Sequence, residues 1–382
     1  MNYVVTGATG FIGRFLVAEL LKRENARVYA IVRPGSEARL DRIRQQLGVG
    51  QDRLIALHGN LTRPLLGLSR EDLQSLQGKV DHFFHLAAIY DLKADAISQH
   101  RSNVEGTRNA VKAAETLQAG CFHHVSSIAV AGIYPGVFYE NMFEQATGLN
   151  DPYFRTKHDA EKCVREESHI PYRIYRPSMV VGNSQSGEMD KVDGPYYLFK
   201  IMQRLHDWLP RWVPLVGIEG GQFNIVPVDY VVRAMDHIAH QPGLDGGCFH
   251  LTADRHYSLG ELLNLVAESA RAPRFSLQIS NRVLEVLPQS MLSRIAGLRP
   301  VHALMQRLLN RLDLPPSTLG FLTYPTRYDR TQTAKALQGT DLTPPALETY
   351  IANLWRYWRD HLDPDRKSRA YMRRARRTAT EQ

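Results

Sequence analysis

The feature that most limits what this chain can become is the run TGATGFIG, Thr6 to Gly13, which begins only five residues from the amino end. It follows the apolar segment NYVVT (2–6) at once. It leads into FIGRFLVAELLKR (11–23), whose apolar residues recur at helical spacing. Glycine alone marks only a turn. A strand, a glycine turn and a helix inside one unit of about thirty residues are the start of a dinucleotide-binding βαβ motif. There Gly7 permits the tight turn, Gly10 lets the backbone reach a pyrophosphate, and Gly13 allows close helix–strand packing. The helix would offer its unpaired N–H groups and positive dipole end to the phosphates.

The same rhythm continues. RVYAIV (27–32), RLIALHG (53–59), HFFHLAA (82–88), FHHVSS (122–127) and YRIYRP (172–177) read as strands. Helices are expected over 36–47, about 95–118 and 151–167, the last with Asp151 as cap and Pro152 in its first turn. Repeated strand–helix units imply an α/β fold, a Rossmann-type doubly wound parallel sheet covered on both faces. After about residue 180 the rhythm breaks into helical pieces (196–207, 228–240, 258–270, 301–311 and 345–361) with proline-rich joints. The expected organisation is a dinucleotide-binding domain over 1–182, with later segments such as 223–251 returning to it. A smaller, mainly helical substrate lobe over 183–361 would lie over the carboxyl ends of the strands, and a basic tail or linker would occupy 362–382.

Composition excludes several classes. Of a net charge of +8, the tail from Arg366 carries +6, with seven Arg and Lys residues against Glu381. The body is nearly neutral, so no nucleic-acid-binding face is indicated. The basic tail is read as a solvated linker, with peripheral contact to an anionic membrane as its alternative. Three scattered cysteines suggest neither disulfides nor a metal site and fit a reducing cytoplasm. The adjacent His123 and His124 are read as structural histidines at a strand edge. No secretory signal or spanning helix is expected.

The second strand ends Val32-Arg33 where an NAD site usually carries an acidic residue. A carboxylate would repel a 2′-phosphate, whereas the Arg33 guanidinium can pair with it, which points to NADPH. Carbonyl reduction needs a hydride donor and a proton donor. Tyrosine is a poor acid near neutrality unless a lysine one helical turn away stabilises its phenolate. Two Tyr-x-x-x-Lys spacings occur, Tyr153/Lys157 and Tyr196/Lys200. Tyr153 lies on the helix after the Val-Ser-Ser strand end, beside the expected cleft. Tyr196 falls in the second lobe and is read as facing substrate or core.

The glycine spacing and these motifs resemble the extended short-chain dehydrogenase/reductases. The resemblance implies a catalytic set of Ser127, Tyr153 and Lys157, with Asn103 of SNVEGT (102–107) as the active-site asparagine and Ser126 in a supporting role. It implies cofactor contacts from Gly7, Thr9, Gly10, Phe11, Ile12 and Gly13, and from Leu86, Ala87 and Ala88 of HLAAIY. Tyr153 and Lys157 would reach the cofactor too, as would Pro177 and Val180 of YRPSMVVG. At Asn60-Leu61 the family usually has Asp-Leu, so the adenine contact would be made by an amide.

The likeness is to the fatty acyl-CoA reductase type, through HLAAIYD, NVEGTRNAV, HHVSSIAVAG, YFRTKHDAEK, GEMDKVDGPYYLFK and WRYWRDHLDPD. Within that type it resembles the N-terminal module of bacterial two-domain fatty acyl-CoA and fatty aldehyde reductases. The implied reaction is NADPH-dependent reduction of a long-chain fatty aldehyde, a fatty acyl-CoA, or both, to the alcohol. Fusion to or partnership with a second short-chain reductase domain, and a homo-oligomer, are compatible with it. Residues 196–218 and the amphipathic stretches 290–298 and 302–312 are read as either acyl channel or lobe core. A hydroxysteroid or ketone reductase, a nucleotide-sugar epimerase or dehydratase, and a non-catalytic NADPH sensor remain the alternatives.

Overall fold

The first strand sets the layering. β1 (Asn2–Thr6) sends Tyr3 and Val5 into one buried cluster and Val4 into another, as alternate side chains of a strand must. The computed structural model describes residues 1–88, 95–190, 196–279 and 324–365. Within them β2 (Arg27–Val32), β3 (Leu54–His58), β4 (His82–His85), β5 (Cys121–Val125), β7 (Tyr172–Pro177) and β12 (Cys248–Leu251) join β1. Every pairing is parallel, in the order β12-β7-β5-β4-β1-β2-β3. Strand order reverses between β1 and β4, so a doubly wound sheet has its crevice at the carboxyl ends of those two strands.

Helices follow the strands: α1 (Phe11–Leu20), α2 (Glu37–Leu47), α3 (Arg70–Leu76), α4 (Ala96–His100), α5 (Gly106–Thr116) and α6 (Pro152–Glu167). Further along come α7 (Tyr196–Trp208), α8 (Val228–Ala239), α9 (Leu259–Ala270), α10 (Thr331–Ala336) and α11 (Leu347–Tyr357). Leu16, Val17 and Leu20 of α1 meet Val231, Met235 and Ile238 of α8 on one face of the sheet. Ala110, Val111 and Ala114 of α5 meet Phe83, Phe122 and Val164 on the other. Each of the larger side chains among them, Val, Leu, Ile, Met or Phe, contributes about 1.5–3 kcal/mol by leaving water.

Short pairs complete the strands: β6 (Gly136–Phe138) with β15 (Thr326–Tyr328), and β8 (Met179–Val181) with β11 (Ile225–Pro227). The others are β9 (Leu215–Ile218) with β14 (Phe275–Ile279), and β10 (Gln222–Phe223) with β13 (Tyr257–Ser258). The chain divides into two compact units. One comprises Met1–Val180, Asn224–Asp254 and Pro325–Pro344; the other gathers the described parts of Val181–Phe223, Arg255–Tyr324 and Pro345–Gln382. In the second unit Phe199 packs edge-on to Trp355 and Trp358, and Ser258 with Glu261 forms a capping box on α9.

The structure departs from the sequence reading in three places. His123 and His124 do not lie at a sheet edge: β5 is paired on both sides, and both rings are buried. The single helix expected over 95–118 is broken by a π-helical turn, Arg101–Glu105, between α4 and α5. A seventh strand, β12, adds to β7; four residues are too few to show a period. The expected helix 301–311, the stretch 290–298 and the tail from Arg366 lie outside the described residues.

A buried ion pair ties α6 to the sheet. Arg176 of β7 donates to both Glu161 carboxylate oxygens, at 2.6 and 3.0 Å, and both side chains are fully buried. Removing one partner of such a pair leaves an uncompensated charge in the core. Arg176→Met should therefore cost roughly 3–5 kcal/mol. The double variant Arg176→Met/Glu161→Leu should cost less than either single change. Urea-unfolding midpoints followed by near-UV circular dichroism check this; additive losses would contradict it.

Candidate active site

A parallel sheet delivers all its carboxyl ends to one edge, and the candidate residues collect there. Gly7 follows β1, Arg33 follows β2, Asn60 lies two residues past β3, and Leu86 to Ala88 follow β4. Ser127 lies two residues past β5, Pro177 ends β7, and Val180 lies in β8.

The glycine turn is built for a close approach. Gly7 has φ +73°, and a Cβ there would stand 2.8 Å from the Ala87 amide nitrogen, so turn and β4 end touch through backbone. A Cβ on Gly13 would fall 2.0 Å from the Gly7 carbonyl oxygen, which forces glycine where α1 crosses the turn. At Gly10 the nearest atom to an added Cβ is that same oxygen, at 3.2 Å. Gly10 is the N-cap of α1 and supplies no side-chain cap. The first-turn amides of Phe11, Ile12 and Gly13 thus have neither an intrahelical partner nor a capping side chain. This cradle of glycine and open helix N–H groups fits a dinucleotide pyrophosphate.

Flanking residues are consistent with that fit. Thr6 of β1 pairs with Ile31 of β2, which sets exposed Arg33 beside the turn. The Gly59 amide bonds the Val32 carbonyl at 2.9 Å, bringing Asn60 next to the end of β2. The Asn60 side-chain oxygen accepts from the Thr62 amide and hydroxyl, both at 3.0 Å. Leu61 carbonyl accepts from Asn109 Nδ2 at 2.8 Å, which fixes it under α5.

Helix α6 carries both Tyr153 and Lys157. Asp151 caps it by accepting from the Tyr153 amide at 2.8 Å, and Pro152 takes the first turn. Tyr153 is half-buried, and Lys157 lies one turn on, on the same face. The Lys157 ammonium is buried and donates to the Val125 carbonyl at the end of β5, at 3.2 Å. Burial pulls its pKa down to about 8, against the opposing charge of Glu161. Ser127 caps the short turn Ile128–Ala131, accepting from the Ala129 amide at 3.2 Å. Asn103 is buried in the π-helical turn, and its Nδ2 donates to Thr156 Oγ1 on α6 at 3.2 Å.

The second Tyr-x-x-x-Lys spacing has a different setting. Tyr196 is buried in the second unit, where its hydroxyl accepts from the Gly182 amide at 2.9 Å. Of the apolar stretch 196–218, Phe199 and Met202 are also buried, whereas Trp208 and Trp212 are exposed.

Sequence reasoning missed Glu161. It follows Lys157 at the spacing that links Lys157 to Tyr153, so the three mark one face of α6. Ser126 donates to it at 2.7 Å, which gives the first serine of Val-Ser-Ser a structural partner. Arg165 and Arg176 complete its shell. Burial alone would raise this carboxyl, but the two arginines and Ser126 hold it well below the usual carboxylate range. Among the described residues, no group of three or more His, Cys, Asp or Glu side chains could hold a metal ion. No described helix is long and apolar enough to cross a membrane.

The family model described as male sterility protein matches residues 5–235. Glycine betaine reductase ATRR of Emericella nidulans is 31% identical over 271 residues, 65% of this chain and 20% of that protein. Aldehyde reductase lnbA of Aspergillus flavus is 28% identical over 270 residues, 65% of this chain and 26% of its own length. The chain thus spans a fifth to a quarter of these two relatives. Among solved structures, the terminal R domain from the myxalamid PKS-NRPS biosynthetic pathway superposes with a TM-score of 0.72 at 26% identity. That match covers 95% of this chain and 92% of the other.

The two outer glycines are fixed by protein contacts, whereas a methyl at Gly10 meets little of the chain itself. Gly10→Ala should leave the melting temperature nearly unchanged and weaken nicotinamide dinucleotide binding at least about tenfold, or about 1.4 kcal/mol. Gly13→Ala should lower the melting temperature as well. Scanning calorimetry and titration calorimetry separate the two effects; undiminished binding by Gly10→Ala would refute the cradle.

Proposed function

Because the chain belongs to the male sterility protein family of extended short-chain oxidoreductases, we propose that it is an NADPH-dependent reductase of long-chain fatty aldehydes, of fatty acyl thioesters, or of both in succession. The observation that carries this reading is the buried Lys157 ammonium, held on the end of β5 one helical turn from Tyr153. The dinucleotide would be held by the Gly7–Gly13 cradle, with Arg33 on its 2′-phosphate and Asn60, Leu61 and Leu86 to Ala88 along its adenine side. When bound, it supplies the hydride equivalent that carbonyl reduction requires.

The chain supplies the rest. Ser127 hydroxyl holds the substrate oxygen, and Tyr153 gives it the phenolic proton as negative charge develops there. Lys157 stabilises the phenolate left behind, and its positive charge favours the proton's departure. Asn103, fixed through Thr156, steadies the first turn of α6. With a thioester, a first reduction gives a hemithioacetal, whose collapse expels thiolate and leaves an aldehyde for the second. Arg33 favours NADPH over NADH because an exposed guanidinium beside the second strand offers a phosphate two parallel N–H donors.

The likeness to a terminal domain of a polyketide–peptide synthetase pathway favours a second reading of the substrate. In that reading the acyl thioester is delivered to this chain by a carrier partner and not as a free CoA ester. Chemistry at Tyr153 is the same in both.

Purified protein should oxidise NADPH, and NADH far more slowly, with hexadecanal or palmitoyl-CoA, and should ignore UDP-sugars. Tyr153→Phe should lower kcat about 10²- to 10⁴-fold, the usual contribution of a positioned proton donor. NADPH consumption with neither lipid would defeat the lipid assignment, and full activity in Tyr153→Phe would defeat the assigned acid.

A further inference from the structure

A buried polar chain runs from the glycine turn to the catalytic helix, and its proton positions are fixed by counting. Thr107 Oγ1 lies 2.6 Å from the Asn103 carbonyl oxygen. A carbonyl only accepts, so the one hydroxyl proton of Thr107 is committed there. His85 Nε2, 3.1 Å from the same hydroxyl oxygen, must then be the donor of that contact. Burial, with the nearby Lys157 charge, pushes the His85 pKa down to about 3, so the ring is neutral and holds a single N–H. Its Nδ1 is therefore the acceptor and takes the Thr6 hydroxyl proton at 2.8 Å. Thr6 Oγ1 in turn accepts from the Ala87 amide, at 3.3 Å, at the point where β4 meets Gly7.

From this arrangement we propose that His85, locked as its Nε2–H tautomer, is a positioning residue that sets Asn103 for the reaction. It acts through Thr107 and not on substrate. The Thr107 hydroxyl bonds the carbonyl four residues back, at the π-helical turn that displaces Asn103 from ordinary helical register. Asn103 Nδ2 then donates to Thr156 Oγ1, whose own proton goes to the Tyr153 carbonyl at 3.2 Å. The Thr6, Thr107 and Thr156 hydroxyls and the His85 ring N–H each donate to one group on this path, which fixes their proton arrangement. Thr6, His85, Thr107, Asn103 and Thr156 thereby link the backbone of the cofactor turn to the first turn of α6. The proposal rests on the reductase reading only for its kinetic consequence.

The test begins with the full chain carrying [15N]histidine, the His85 signals being assigned by their loss in His85→Gln. At neutral pH the shifts should show a neutral ring with the proton on Nε2; a proton on Nδ1, or on both nitrogens, overturns the proposal. In turnover, Thr107→Val keeps the shape and removes the hydroxyl. It should lower kcat about 10- to 100-fold, as expected for a misplaced site group, with the cofactor Kd within about threefold of wild type. Thr107→Ser, which restores the hydroxyl, should recover kcat to within about threefold. A wild-type kcat in Thr107→Val, or no recovery in Thr107→Ser, overturns it. Should Thr107→Val fail to fold, Thr107→Ser and the nitrogen shifts decide. Should the wild type reduce neither aldehyde nor thioester, the reaction assignment falls alone. The relay is then judged by the tautomer and by movement of the Asn103 carboxamide signal in Thr107→Val.

Discussion

The proposed reaction depends on a single ammonium held out of water. Lys157 lies in the interior, tethered to the Val125 carbonyl, with its pKa drawn from 10.5 to about 8 by desolvation. Such a shift corresponds to roughly 3 kcal/mol of penalty on the charged form. A protein keeps a cation at that cost only where the surroundings fix it firmly, and here the surroundings are the end of a central strand and one face of a capped helix. In the proposed reaction this buried point charge acts on the phenol one turn away more strongly than a surface charge does.

A buried network centred on Glu161 holds α6 against the sheet. Glu161, one turn beyond, is satisfied by Arg176, Arg165 and Ser126, so it moderates the Lys157 charge without forming its direct ion pair. Arg176 also reaches the Met142 carbonyl and His250. Glu140 accepts from the His250 and Thr333 amides, which ties α10 to β12 within the first unit. Stability and positioning are here the same set of contacts. Arg176 and Glu161 thus hold α6, which carries the proposed Tyr153 and Lys157, against β7.

Much of this was legible in the sequence because it depends on local pattern. The glycine spacing, the strand–helix alternation and the Asp151-Pro152 start of α6 are each decided within a few residues, and the structure realises them. What was not legible depends on partners distant in the chain. β12 joins the sheet through pairing with β7, some seventy residues earlier. The π-helical turn follows from hydrogen bonds that helical periodicity does not encode. His123 is shielded by β-pairing on both sides and bonds Tyr175, a contact that no composition rule anticipates. Glu161 alone carried a readable signal, the repeat of the four-residue spacing along YFRTKHDAEK.

The central claim is that the buried Lys157 ammonium sets the proton on the Tyr153 phenol one helical turn away. In the reductive direction the pair must hold its protons, the phenol to donate and the ammonium to stabilise what remains. The most direct measurement is the pH dependence of kcat/KM for aldehyde reduction under saturating NADPH. The account predicts a plateau at lower pH and a fall as pH rises through about 8, where Lys157 loses its proton. An ordinary tyrosine and lysine, both titrating near 10, would hold the plateau to about that value. A rate still undiminished there would contradict the account.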